Sequence, residues 1–247
     1  EPAPRVEPEP EPAPEPDRVT PTSITRKIEQ GRDLIRRDEL VAGRKLLNEA
    51  LIGPVSQSDA AALRKELTAV NEKLVFSPLV KEDDKYAESY VLQSGDMLAR
   101  IAPKYDVPWQ FLKRINEIAD ETRIRAGQRI KVVKGPFHIV VSKHAFRADV
   151  YLDGEDGPLY VRSFRVGLGE YDSTPIGRFV VKRHSKLKDP EWTNPRTGKT
   201  FHSQDPNNPI GEHWVGLRGI DEKTKAMRGY GLHGTIEPQS IRSEEHT

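Results

Sequence analysis

The sequence contains no cysteine among its 247 residues. This absence excludes disulfide bonds and thiolate metal sites, but it does not identify a compartment, because exported proteins without disulfides are common. The sequence also lacks any run of about 18 apolar residues, so we expect no membrane-spanning helix. Hydrophobic residues make up 35% of the chain. This content suffices for several small cores but not for one large core, so we expect two or three domains.

Charge is almost balanced over the whole chain, with a formal net charge of +1, but it is not evenly distributed. Residues 1–20 are acidic, whereas residues 161–235 hold more Lys and Arg than Asp and Glu. A basic excess can attract an anionic partner or simply form a solvated face, and the solvated face is the simpler interpretation. Because the basic residues lie among acidic ones without an aromatic platform, we do not expect nucleic-acid binding.

The N-terminal segment, residues 1–20, is rich in Glu and Pro and begins EPAPRVEPEPEPAPEPDR. Proline fixes the backbone φ angle and the glutamates repel each other, so this segment is predicted to be an extended, disordered spacer. The chain begins with Glu1 rather than Met, from which we expect an export signal or anchor that was removed or is not included. A spacer beside such a signal is typical of a tether, although a low-complexity tail without function fits equally well.

Residues 21–78 show helical periodicity, in three apolar stripes separated by turn signals at Asp38 and at Gly53–Pro54. Ser58 and Asp59 are the candidate N-cap residues of the third stripe. The pattern predicts a small helical module, vaguely similar to one tetratricopeptide unit. A single unit of this kind buries its apolar face poorly, so we expect it to pack on a neighbour or to act as a spacer. The third stripe consists of Leu63, Leu67, Val70 and Leu74.

Residues 88–134 form the next predicted domain, which contains YVLQSGDMLARIAPKYDVPWQFLKRINEIADETRIRAGQRIKVV. It opens with a short strand, turns at Ser94–Gly95, and starts a helix at Asp96. A second helix follows Pro108 and ends near Asn116, and a glycine-containing turn leads into a second strand. A βααβ unit of this size is too small for most enzymes but large enough for a binding module.

This stretch resembles a LysM domain, because its opening YVLQSGDMLARIAPKYDV and its closing IRAGQRIKV both follow that family's pattern. The resemblance implies binding to the N-acetylglucosamine-containing glycan of peptidoglycan or chitin, in a shallow groove between two loops. The glycan-binding residues that it implies are Gly95, Asp96, Met97 and Asn116. A purely structural interpretation is also open, with Gly95 as a turn residue, Asp96 as an N-cap and Asn116 as a helix stop.

From Phe137 onward the helical period disappears. Short β-branched or aromatic runs, such as FHIVVSK, ADVYLDG, PLYVRSFRVGLG and GRFVVKRH, predict an antiparallel β domain over residues 135–247. The alternation in ADVYLDG predicts one solvent-exposed face. The insertion SKLKDPEWTNPRTGKTFHSQDPNNPIGEHW has little periodicity, and we interpret it as the cover of a substrate cleft. The predicted fold class is therefore multidomain α+β, with a disordered spacer, a helical module, a βααβ LysM domain and a mostly-β domain.

Three phrases occur in order in the β region: VGLGEYDSTPIGRFVV, NNPIGEHWVGL and YGLHGTIEP. In this order they resemble the TPxGxF, NPxGxxW and HGT segments of the L,D-transpeptidase catalytic domain, the YkuD family. The resemblance implies acyl transfer in the bacterial cell wall. In that family a cysteine thiolate attacks the amide before the terminal D-alanine of a tetrapeptide stem. D-alanine leaves, and the side-chain amine of another stem resolves the thioester into a cross-link.

The resemblance assigns the general base to His233. A thiol needs a nearby base to ionise at neutral pH, and an imidazole, whose ordinary pKa is about 6.5, serves this purpose. The resemblance also implies that the backbone carbonyl of Gly234 holds the imidazole in one tautomer. Glycines at 231 and 234 are expected to let the backbone approach closely. The plain alternative for His233 is a satisfied histidine at a strand end.

The candidate substrate-binding residues are Tyr230, His213 and Trp214. His213 stands where the family often carries Arg, so a contact with a substrate carboxylate and a plain surface position are both open.

The sequence departs from the family pattern at the nucleophile. In the family, the base is followed by Ser or Thr, a variable residue, Gly and the nucleophilic Cys, whereas this sequence stops at Thr247 without that motif. The adjacent backbone N–H groups that stabilise the oxyanion are missing with it. We therefore expect the chain to be truncated before the Cys motif, either as a fragment of a complete enzyme or as a naturally shortened binder. As it stands, we expect it to be inactive.

Two other classes of function stay open. The first is a catalytically inactive peptidoglycan-binding envelope protein, in which the LysM domain holds glycan and the β domain occupies a stem peptide without reacting. The second is a metallohydrolase, but short ligand spacings such as His-Glu-x-x-His are absent, so we expect no metal and no cofactor. The histidines considered for it are His184, His202, His213, His233 and His246. The expected partner is peptidoglycan, and the expected location is the periplasm or cell envelope.

Overall fold

The structure is a computed structural model that describes residues 19–154, 157–169, 171–241 and 244–245. Nearly all of the predicted N-terminal spacer, residues 1–18, and His246 lie outside these ranges. The described chain combines helices with antiparallel sheets, which confirms the predicted α+β class. It divides into two compact units, Glu1–Val140 with Asp149–Ser163 and Val141–Ala148 with Phe164–Thr247. None of the described helices has the length and apolar character that a bilayer crossing requires.

The first unit opens with three helices, α1 (Thr22–Arg36), α2 (Leu40–Leu51) and α3 (Gln57–Leu74). The stripe predicted along α3 is buried and forms much of the core between the helices.

The start of α3 differs from the expectation. Ser56 is the N-cap residue, and its hydroxyl accepts the backbone N–H of Asp59 at 3.0 Å. The predicted caps, Ser58 and Asp59, are therefore wrong by two or three positions. Asp59 lies in the first turn, where its carboxylate accepts the Ser56 hydroxyl at 2.9 Å, and a negative charge there is favourable at the positive end of the helix.

A βααβ arrangement follows, with two 3-10 helices at Ala102–Tyr105 and Glu121–Arg123. The two strands pair antiparallel, with Ala87 opposite Val133 and Val91 opposite Arg129. Leucine and isoleucine side chains from both helices fill one core with the buried valines of the second strand. The four elements are β1 (Ala87–Val91), α4 (Leu98–Ile101), α5 (Trp109–Ile115) and β2 (Arg129–Val133).

Three strands, β3 (Phe137–Ser142), β4 (Arg147–Leu152) and β5 (Leu159–Arg165), form a sheet in the order β3-β4-β5. Alternate residues of β4 and β5 contact different cores. Val150, Leu152, Leu159 and Val161 join the core of the βααβ arrangement, whereas Tyr151 and Tyr160 join the core of the helices. The prediction that ADVYLDG leaves one face in solvent is therefore wrong, because the helical module covers the second face.

The helices also hydrogen-bond to the backbone of β5. The Asn71 amide, which is fully buried, donates to the carbonyls of Tyr160 at 2.8 Å and Val161 at 3.1 Å. The Asn48 side chain accepts the Tyr160 N–H at 2.8 Å and donates to the Pro158 carbonyl at 3.0 Å. The helical module thus packs on neighbours within its own unit.

A buried charge cluster links the helices to the βααβ arrangement. Arg44 of α2 donates to the Asp84 carboxylate at 2.6 Å, and both side chains are 2% exposed. Lys131 of β2 is 1% exposed, and its ammonium donates to the carbonyl of Leu74 at the end of α3 and to that of Ser77 at 3.0 Å. A cation at this position is favourable for a helix C-terminus.

The second unit contains seven described strands, β6 (Leu168–Gly169), β7 (Phe179–Lys188), β8 (Trp192–Thr193), β9 (Thr200–Phe201), β10 (His213–Gly219), β11 (Gly231–His233) and β12 (Glu244–Glu245). Three of them form an antiparallel sheet in the order β11-β10-β7. A parallel pair joins β6 and β12, and a small hairpin, β8-β9, lies inside the insertion that the sequence predicts as a loop. In that hairpin the rings of Trp192 and Phe201 stack, with their centroids 5.9 Å apart.

Candidate functional site

His233 ends the short strand β11, and its imidazole is exposed to solvent. Its Nδ1 atom lies 2.6 Å from the carbonyl oxygen of Gly234. Because a carbonyl oxygen can only accept, this contact requires the hydrogen on Nδ1 and leaves the lone pair on Nε2. Within the part of the chain that the structure describes, Nε2 makes no hydrogen bond. When the imidazole is neutral, this geometry presents the Nε2 lone pair to solvent, and that lone pair can take a proton.

Trp214 lies directly opposite His233 in the β10-β11 pair. The indole and imidazole planes differ by only 8°, and their centroids are 5.9 Å apart. The next pair on the same face is Gly216 opposite Gly231. A Cβ atom at 231 would lie 2.5 Å from the indole, and one at 216 would lie 3.3 Å from its Nε1. The indole therefore covers the gap that two glycines leave.

The NPIG turn packs against the HGT segment. The buried Asn208 amide donates to the Pro190 carbonyl at 2.9 Å, which ties the two ends of the insertion together. Gly211 has a φ of 64°, and a Cβ there would lie 2.9 Å from the backbone nitrogen of Thr235. By contrast, a Cβ at Gly234 would meet its nearest neighbour at 3.5 Å, an ordinary contact. The close approach expected at Gly234 therefore occurs at Gly211, and the expectation at Gly231 is confirmed.

The TPIG turn is held by a different loop. The Asp221 carboxylate accepts the backbone N–H groups of Arg178, Lys223 and Thr224. These hydrogen bonds, above all the one from Arg178, lower the pKa of Asp221. A Cβ at Gly177 would lie 2.4 Å from the Thr224 methyl group. This phrase therefore fixes the start of β7, while the other two phrases pack on each other.

The pairing of β7 with β10 is interrupted beside the site, where the register shifts between Val215 and Leu217. At this bulge His184 has a φ of 56°, an uncommon conformation for a residue other than glycine. The Ser185 hydroxyl lies 2.7 Å from the Lys182 carbonyl and 3.1 Å from that of Gly216. Sequence reasoning missed this bulge, because KRHSK carries no glycine or proline to mark it.

The three predicted substrate-binding residues do not share one position. His213 is exposed and pairs with Lys188. Since side chains alternate along a strand, His213 lies on the face opposite to Trp214. Tyr230 packs on Phe179, with ring centroids 6.1 Å apart, and its carbonyl accepts the Leu217 N–H at 2.8 Å. Their roles toward a substrate stay predictions.

Histidines elsewhere in the described chain do not gather into a cluster. No group of three or more His, Cys, Asp or Glu side chains among the described residues is placed to hold a metal ion. His202 faces Glu191, with Nδ1 and the carboxylate 3.4 Å apart.

In the βααβ arrangement, an open cleft of about 310 Å³ follows the loop after α5. Asn116 lines it and is also the C-cap residue of α5. Its amide donates to the carbonyls of Leu112 and Lys131, at 2.9 and 2.8 Å, and accepts the Lys131 N–H at 2.6 Å. The Asn116 amide is therefore occupied by backbone. The cleft is lined by Asn116, Glu117, Ile118, Ala119, Asp120, Arg123, Ile124 and Gln128.

The other three predicted glycan-binding residues lie before α4 and are not among the residues that line this cleft. The Asp96 carboxylate accepts the Gln93 N–H at 2.8 Å and the Tyr90 hydroxyl at 2.9 Å, and the Gln93 bond is the main reason that the pKa of Asp96 is lowered. The helix begins at Leu98, so the predicted start at Asp96 is wrong. Gly95 has a φ of 83°, and Met97 is 53% exposed.

Comparison with known protein families gives two matches. Residues 90–133 match the LysM domain, and residues 136–245 match YkuD, the L,D-transpeptidase catalytic domain. A search of curated proteins gives no match. Among solved structures, the chain is similar to one described as "Crystal structure of MoCVNH3 variant (Mo0v) in complex with (N-GlcNAc)4", at 18% identity and a TM-score of 0.21. The match covers 38% of this chain and 64% of that chain.

Proposed function

Because this chain carries a LysM domain followed by an L,D-transpeptidase catalytic domain of the YkuD family, we propose that it acts in acyl transfer on bacterial peptidoglycan. The LysM domain would hold the glycan while the catalytic domain works on the stem peptides. The observation that carries the proposal is the His233 imidazole, whose Nδ1 is held by the Gly234 carbonyl at 2.6 Å. This contact directs Nε2 outward as a base.

The proposed chemistry proceeds in two steps. Nε2 of His233 takes the proton of a cysteine thiol, and the thiolate attacks the carbonyl carbon of the amide before the terminal D-alanine. The imidazolium returns the proton to the leaving amine, so that D-alanine departs and a thioester forms. A side-chain amine of a second stem then attacks the thioester, which restores the thiol and forms a cross-link. The Gly234 carbonyl favours the imidazolium by keeping its bond from Nδ1.

The 247 residues contain no cysteine, so this mechanism needs a thiol from outside them. We expect the chain by itself to release no D-alanine. Sequencing the coding region after codon 247 tests this point directly. A following Ser-x-Gly-Cys motif would supply the nucleophile, whereas a stop codon, or a continuation without a Cys codon, would contradict the enzymatic proposal.

Binding is assigned to two groups of residues. For the stem peptide we propose Tyr230, Trp214 and His213, which belong to the β10-β11 pair or the turn before it. For the glycan we propose Gly95, Asp96, Met97 and Asn116. The exposed Met97 and the loop that Asp96 holds support this choice. A protein with these ligands is exported, so we propose the periplasm or cell envelope as its location, with an N-terminal signal or anchor.

The absence of cysteine favours a second candidate function, a peptidoglycan-binding protein of the envelope without catalysis. Both candidates require that the 247-residue chain sediments with insoluble peptidoglycan. They differ in whether the natural protein releases D-alanine from tetrapeptide stems. Release that His233→Ala abolishes supports the enzyme, and binding without release supports the second candidate.

The proposed glycan residues can be tested with a variant and a matched control variant in the same unit. Met97→Asp should weaken sedimentation with peptidoglycan, because it replaces an exposed apolar side chain of the predicted glycan site by a charged one. Ile52→Asp changes a side chain of similar exposure, 54%, in the helical region, and it should leave binding unchanged. Equal loss in both variants, or no loss in either, would contradict the proposed glycan residues.

A further inference from the structure

The imidazole of His233 needs more than one restraint to act as a directed base. The Nδ1 contact with the Gly234 carbonyl fixes one atom of the ring. It does not fix the tilt of the ring about that contact, because a carbonyl oxygen accepts over a broad range of angles. A second group must therefore set the plane of the imidazole. The nearly parallel indole of Trp214, with its plane 8° from that of the imidazole, is in place to do so.

The position of the indole is itself well determined. Trp214 belongs to the central strand of the β11-β10-β7 sheet, so its backbone is paired on both sides. Its ring lies across the Gly216–Gly231 pair, where any larger residue at 231 would collide with it. A ring packed on a glycine pair has little freedom to move away, as in the aromatic cover of strand glycines. The indole therefore has a defined orientation, and the imidazole can stack on its face.

We propose that Trp214 is a positioning residue that holds the His233 imidazole in the plane and tautomer required of a base. The inference rests on the proposed function, and it gives Trp214 a role that acts through His233. Parallel offset rings at this separation attract each other. The imidazole is then held on one side by the indole face and at Nδ1 by the Gly234 carbonyl, so that only Nε2 is presented outward.

The test uses the 247-residue chain, because it needs no thiol. Long-range proton–nitrogen NMR correlations identify the tautomer of each histidine, and ring-current shifts report the stacked indole. In the unchanged chain we expect His233 to carry its hydrogen on Nδ1 and its ring protons to resonate upfield. Trp214→Leu should remove the upfield shift and lower the ratio of the Nδ1–H to the Nε2–H tautomer about two- to tenfold, the value of one aromatic pair.

Two further variants separate positioning from folding. Trp214→Phe keeps an aromatic face and should restore most of the tautomer preference. Trp192→Leu removes a different ring stack of the second unit, that with Phe201, and should leave the His233 signals unchanged. The proposal is overturned if Trp214→Leu, with its other strand signals native, keeps the same tautomer ratio. It is also overturned if Trp214→Phe loses the preference as fully as Leu does.

The outcome does not depend on whether the protein is an enzyme. If the NMR signature holds but the natural protein releases no D-alanine, then the proposed function fails while the positioning of His233 stands. If D-alanine is released and Trp214→Leu leaves both the tautomer ratio and kcat unchanged, then the positioning role fails alone.

Discussion

Replacing Asp84 by Asn should destabilise the whole first unit. Asp84 and Arg44 form an ion pair of 2.6 Å with both side chains 2% exposed, and Lys131 lies buried in the same cluster. Asn keeps the size of Asp and an acceptor for the Tyr86 N–H, which lies 3.0 Å from Asp84. The substitution therefore removes mainly the negative charge and leaves two buried cations without it.

The expected cost follows from the burial of the pair. Removing one partner of a buried ion pair costs about 3–5 kcal/mol, because the remaining charge stays out of water. The free energy of unfolding of an ordinary domain is about 5–15 kcal/mol, so the expected loss is a large part of the total stability. Asp83→Asn removes an exposed carboxylate at the neighbouring position and should cost less than about 0.5 kcal/mol.

Native-state hydrogen exchange read by mass spectrometry measures both the size and the spread of the effect. Because the cluster joins α2, the end of α3 and β2, the amides of α3 and β2 should lose the same free energy of protection. The reasoning is refuted if Asp84→Asn costs under about 1 kcal/mol, or if only one of these elements loses protection. Arg44→Met with Asp84→Leu removes both charges of the pair and should recover part of the loss, although Lys131 then stays buried without the carboxylate.

Four further predictions concern single residues. Burial lowers the pKa of Lys131 to about 8, so the folded chain loses this proton before the unfolded chain does. The urea midpoint should therefore rise from pH 8 to about 10, and Lys131→Met should abolish the rise. Burial raises the pKa of Tyr105 to about 12, so stability should fall again above pH 10 as unfolded tyrosine ionises. Gly231→Ala should cost about 1–3 kcal/mol in thermal unfolding and displace the indole, whereas Gly234→Ala, with its nearest contact at 3.5 Å, should cost less. Asn71→Leu removes the two hydrogen bonds that the buried Asn71 amide donates to the backbone of β5 and should lower the urea stability by about 1–3 kcal/mol, and an unchanged midpoint would contradict this.

Patterns that depend on nearest neighbours along the chain could be predicted. The apolar stripe of α3 follows from a 3.6-residue period. Helix α5 begins after Pro108 as the sequence indicates, because proline has no backbone N–H and is tolerated at the start of a helix but not in its interior. The two segments matched by families were identified from short phrases whose glycines serve specific turns. In each case the information is local.

Features that depend on distant partners could not be predicted. The Asp96 carboxylate was available as a helix cap, but it accepts the Gln93 N–H and the Tyr90 hydroxyl instead, and this competition between local bonds is not visible in the pattern. Strand β4 alternates as a half-exposed strand does, yet Tyr151 meets the core of the helices. The bulge at His184 has no marker in the sequence either, since it arises from the pairing of β7 with β10.

Strands β4 and β5 contribute side chains to two cores, and this sharing limits which segments of the protein can be exchanged for others. The family match places a border between residues 133 and 136, yet Leu152 and Val161 beyond it are packed with side chains before it. A gene fusion that exchanged the glycan-binding part at that border would expose these apolar side chains to solvent. Any substitute part would have to bring a matching apolar surface, and the helices that hold Asn48 and Asn71 would have to be kept beside β5.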